Sequence, residues 1–134
     1  MKKKEIDVFE KLQTQLEGFY DEVNSMSKKL PNDALNKFKL QFINSILEDC
    51  NALLKEQYKP FKNFNRFEDA DLPSNSDVAF MISQYLNCME KLRSDDIFSK
   101  SNYDGNKYLT EWFWKVDGKE SALRTAPPKK LKDK

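Results

Sequence analysis

A chain of 134 residues with a net charge of +1, 39% hydrophobic and 34% charged, is long enough for one core and too short for two comfortable domains. The absence of histidine removes Ser-His-Asp and Cys-His catalysis, imidazole zinc sites and the commonest general base. Three glycines and five prolines are too little turn material for a many-stranded sandwich or barrel.

The first segment carries Val8, Leu12, Leu16, Phe19, Val23, Met26 and Leu30 at steps of three or four. That spacing predicts an amphipathic helix over residues 5–29 that stops before Pro31. Gly18 lies in its middle, where it destabilises by roughly 1 kcal/mol relative to alanine, a cost that the close approach of another backbone would explain. Pro31-Asn32-Asp33 then signals a second helix running to about Tyr58, before Pro60. Its stripe of Leu35, Phe38, Phe42, Ile46, Cys50 and Leu53 is widened by Ile43, Leu47 and Leu54. An arc that wide calls for two packing partners.

Residues 60–73 break the period and read as a loop. Ser74, three residues ahead of Asp77, has N-cap chemistry for a third helix, which carries Val78, Met81, Ile82, Tyr85, Cys88, Met89 and Leu92 and frays near Ser94-Asp95-Asp96. The short link between the first two helices makes them antiparallel neighbours. Over residues 107–125, Asp117-Gly118 predicts a hairpin in which Trp112, Trp114 and Val116 share a face. Tyr108, Leu109, Trp112, Phe113 and Val116 fit a short helix as well, with Gly118 as its C-cap. The expected fold is therefore mainly α: an antiparallel three-helix bundle with a small C-terminal hairpin or short helix. It forms one domain over residues 1–126, followed by a basic Pro/Lys tail over 127–134.

Charge is segregated along the chain. Residues 2–4 are lysines and residues 115–134 carry +4, which leaves residues 5–114 at −6. A nucleic-acid binder more often has a basic body. Cys50 and Cys88 are far apart inside apolar segments, so they read as structural thiols and not as a metal or redox site. The opening Met1-Lys2-Lys3-Lys4-Glu5 runs straight into an amphipathic pattern, unlike a secretory signal. No apolar run approaches the ~20 residues of a membrane span. The expected location is the cytoplasm.

Two aromatic groups stand out. Tyr58, Phe61, Phe64 and Phe67 recur every third residue, with Lys59, Lys62 and Arg66 between them. Aromatics interleaved with bases can anchor a protein partner or stack nucleobases, and they can equally pin a long loop onto a core. Trp112 and Trp114 flank Phe113, a density of large rings that suits either an interface or a lid over one end of the bundle. Acidic clusters at Glu68, Asp69, Asp71 and at Asp95, Asp96 have neither calcium-loop spacing nor a phosphate loop beside them.

Together these features point to a non-enzymatic protein-interaction module, such as a small subunit, an accessory protein or an immunity-like inhibitor. Its partner-binding residues would be Tyr58, Phe61, Lys62, Phe64, Arg66, Phe67, Trp112 and Trp114, and its partner another protein or a second copy of itself. No catalytic residue, metal, membrane partner or small-molecule cofactor is expected. The alternative is a nucleic-acid-associated accessory protein that uses the aromatic loop and the tail lysines Lys129, Lys130 and Lys132.

Overall fold

The computed structural model describes residues 1–129. Three helices, α1 (Lys3–Lys29), α2 (Lys37–Tyr58) and α3 (Asn75–Asp95), precede three strands, β1 (Ile97–Asp104), β2 (Lys107–Val116) and β3 (Lys119–Thr125). The strands form an antiparallel sheet in the order β1-β2-β3. The expectation of a mainly α three-helix bundle is thus corrected to helices plus a three-stranded antiparallel sheet. Residues 107–125 do form a hairpin, in which Asp117 and Gly118 both take positive φ, 53° and 75°, as a two-residue type I′ turn requires. The strand before it is the part not anticipated. Only Asp96 separates α3 from β1.

The helices share one core. Ile6, Phe9, Leu12, Leu16 and Val23 of α1 meet Leu40, Ile43, Leu47, Cys50 and Leu54 of α2 and Val78, Ile82, Tyr85 and Met89 of α3, all buried. Local chemistry fixes the ends. The Asn36 side chain accepts from the Lys39 N–H (3.2 Å) and Ser74 Oγ from the Asp77 N–H (3.2 Å), so each satisfies one orphan donor of its helix. α2 begins later than Pro31-Asn32-Asp33 implied, because residues 31–35 pair with the stretch leading into α3. The Leu35 N–H donates to Pro73 O (2.8 Å), and the Asn75 N–H and side-chain amide reach Asp33 O and Leu30 O (both 2.9 Å). Near its other end, Lys55 adopts a φ of 57°, which breaks the helical run before its last turn.

The sheet leans on α1. Trp114 is fully buried against Phe9, edge to face at 5.3 Å between ring centres, and its indole N–H donates to the Glu10 carboxylate (3.0 Å). Beyond Trp112 and Ser99 the β1–β2 hairpin projects away from the helices, and residues 99–110 are exposed. No helix among the described residues is long and apolar enough to cross a membrane.

Candidate interaction surface

The apolar arc of α2 is wider than the surface available to cover it. Phe38 and Phe42, four residues apart, stand edge to face at 5.0 Å and remain 65% and 47% exposed. Across from them, Val8 of α1 is 47% exposed. Between these helices runs an open trough of about 400 Å³ with a floor of Val8, Leu12, Phe19, Phe42 and Ile46. Lys11 and Gln15 form its rim on α1, and Ser45 and Asp49 its rim on α2. Past Val8 and Asp49 it continues into a second hollow reaching Lys4, Ala52 and Leu53. At the opposite end, the Lys39 ammonium and the Glu22 carboxylate close across the two helices as an ion pair. Neither Lys11 nor Asp49 has an ion-pair partner among the described residues. The sheet and the C-terminal residues meet α1 through Phe9, Glu10 and Glu17, a different stripe, so they leave the trough open.

The aromatic loop is held by α2 and α3. Asn44, buried on α2, grips Phe67 at two points: its amide donates to the Phe67 carbonyl and its oxygen accepts the Phe67 N–H, both at 2.9 Å. Phe64 lies edge to face with Phe67 (5.0 Å) and Tyr85 (6.4 Å), half-buried. Asn51 holds the Asn65 carbonyl (3.0 Å) and accepts from the Tyr85 hydroxyl (2.6 Å). Arg66 is engaged by Glu48 (2.9 Å) and Asp69 (3.4 Å). Tyr58 donates to Asp95 (2.7 Å), a bond that raises the phenol above its ordinary range and lowers the carboxyl. Phe61 is the outward ring, 36% exposed and stacked on Phe80 of α3 (6.3 Å), and Lys62 is exposed beside it. Phe64 and Phe67 therefore pack together against the core, while Tyr58, Phe61 and Arg66 turn onto separate neighbours, so the five do not converge on one patch.

The tryptophans divide. Trp114, expected on an aromatic surface, is a core residue, because the inward face of β2 presses it onto α1. Trp112, two residues earlier on the same face, is half-buried. The outer face carries a stacked pair, Phe98 and Phe113 (5.6 Å), with Arg124 over the Phe113 ring and bound to Glu111 (2.9 Å). Lys129 is paired with Glu17 (3.3 Å), and its backbone N–H donates to Glu90 (2.8 Å). Lys130 and Lys132 lie outside the described residues. Among the described residues no group of three or more Cys, Asp or Glu side chains is placed to hold a metal ion.

The sequence readings of interaction residues missed Val8, Phe38 and Phe42 as a surface. For Phe38 and Phe42 the signal was present in the apolar arc of the second segment, which exceeded what one neighbour can cover. No protein-family model, curated protein or solved structure matches this chain.

Proposed function

We propose that this protein is a non-enzymatic interaction module that receives an amphipathic helical surface in the trough between α1 and α2. The observation that carries this reading is the uncovered apolar floor, in which Phe42 and Val8 are each 47% exposed, with Phe38, 65% exposed, edge to face on Phe42. Apolar side chains left this far in water on two neighbouring helices are the pattern of a docking groove, where anchors at helical spacing enter between parallel ridges. Aromatic anchors at the centre of such a groove supply most of the binding energy, and a charged rim supplies orientation. The setting is the cytoplasm, in keeping with two cysteines that form no disulfide.

The test compares Phe42→Glu with Phe80→Glu, which changes a ring of matching exposure, 48%, on α3. The partner recovered with the tagged wild-type protein from its native cells is purified and titrated against all three proteins. Phe42→Glu weakens its binding at least tenfold, about 1.4 kcal/mol, while Phe80→Glu leaves it unchanged. Equal binding by the wild type and Phe42→Glu overturns the reading.

A further inference from the structure

Resting on that use of the trough, we infer that its occupant is a second copy of this chain, so that two α1/α2 pairs close face to face into a four-helix dimer. The charges around the trough are complementary to themselves. At one end α1 carries Lys4 and Lys11 beside a single acid, Glu5, and α2 carries Asp49, while at the other the order is reversed, Glu22 of α1 and Lys39 of α2 pairing within the chain. A two-fold axis along the trough sets α1 of each copy against α2 of the other, antiparallel and at the same height. Lys11 of each copy then meets Asp49 of the other, two charges that have no ion-pair partner among the described residues of one chain. Every helix in that assembly has antiparallel neighbours, as in up-down four-helix bundles, and the contact is isologous, using one patch twice.

Two further observations fit a helix at close range. Gly18 lies next to Lys11 on the outer edge of the trough by helical angle, and a side chain added there would meet nothing within 4 Å. Among the described residues the glycine thus has no neighbour that explains it, and a backbone approaching from outside would. From Lys4 to the Glu22–Lys39 pair the trough is about 27 Å long and about 18 Å wide across two helices, roughly 490 Å² per copy, so that two copies together bring close to the ~1,000 Å² expected of a specific interface. A net charge of +1 opposes self-association little.

Sedimentation equilibrium or light scattering of the intact protein tests this with Lys11→Glu, Asp49→Lys and their equimolar mixture. The wild type is a dimer. Each charge reversal places like charges together twice and weakens dimerisation about tenfold or more. Mixing the two variants restores a heterodimer. The glutamate introduced in one chain then faces the lysine introduced in the other, and the unaltered Lys11 faces the unaltered Asp49. Rescue by mixing cannot come from a change in folding, since neither chain is altered on mixing. A monomeric wild type up to its solubility limit, or a dimer indifferent to both reversals, overturns the second copy as occupant. In that case the Phe42→Glu comparison above still decides whether the trough binds another protein.

Discussion

Burial pushes the Cys50 thiol up to about 12, with the neighbouring Asp49 carboxylate adding to the effect. Burial likewise pushes the Tyr85 phenol to about 12, against a smaller lowering by its bond to Asn51. Both groups are raised in the folded state, so the stability they lend is complete below their unfolded values and is lost as pH climbs toward 12. The loss begins near pH 9 for the thiol and near pH 10 for the phenol, at about 1.4 kcal/mol per pH unit for each group. Urea midpoints measured at pH 7 and pH 10 should therefore fall in the wild type and hold nearly level in Cys50→Ala, whatever that variant loses at neutral pH. Equal falls in both would show that the thiol is not protected. Trp114 makes a second residue-scale test. Truncating it to alanine removes the ring packed on Phe9 and strands Glu10 without its donor, at about 3–5 kcal/mol. In a domain whose whole stability is of order 5–15 kcal/mol, Trp114→Ala shifts the denaturation midpoint far more than Trp112→Ala, whose ring is half in water. A larger shift from Trp112 would reverse their assignment to core and rim.

At the scale of elements, what could be read in advance depended on whether a face was buried. The three helices show in the period of their apolar residues because each buries a stripe, and Ser74 marks the start of α3 through a bond with visible chemistry. β1 has no such pattern. Six of its eight residues are exposed, so no alternation of apolar and polar side chains was imposed on it, and the Asp104-Gly105-Asn106 turn was its one local cue. The start of α2 was misplaced because residues 31–35 are claimed by the distant Pro73–Asn75 stretch, a tertiary preference that a local signal does not contain. The loop between α2 and α3 is irregular yet fixed, and Asn44 is the side chain that fixes it. Asn44→Ala frees the Phe67 N–H and C=O together and should destabilise the protein by about 1–3 kcal/mol. Limited proteolysis should then open residues 60–73 first. Cleavage at the same rate as in the wild type would mean that the phenylalanines hold the loop unaided.

For the molecule as a whole, sequence pattern exposed the surplus of apolar surface on α2 but not which edge would stay open. That depends on where α1 and α3 stop covering it. The same gap hid the joint that ties the sheet to the helices. Glu90 and Arg93, one turn apart on α3, carry no local sequence signal of burial, yet both are buried, with side chains 7% and 4% exposed. All five guanidinium donors are used. Nε and one Nη bind the Glu90 carboxylate (2.9 and 2.8 Å), and the rest bind Thr125 Oγ1 (2.9 Å) and the carbonyls of Ala126 (2.7 Å) and Pro127 (2.9 Å). Residues 127–129, expected as the start of the basic tail, are thereby fastened to α3 together with Ala126. Removing one partner of such a pair leaves a charge in the interior, so Glu90→Ala should lose about 3–5 kcal/mol, whereas an apolar pair of similar volume has no charge to strand. Glu90→Leu with Arg93→Met should then recover most of that loss in urea unfolding. It should also release the chain after Thr125, so that trypsin cuts at Lys129 faster than in the wild type. If the double variant were as unstable as Glu90→Ala, the fastening of residues 126–129, and not the stranded charge, would be the larger contribution to holding sheet and helices together.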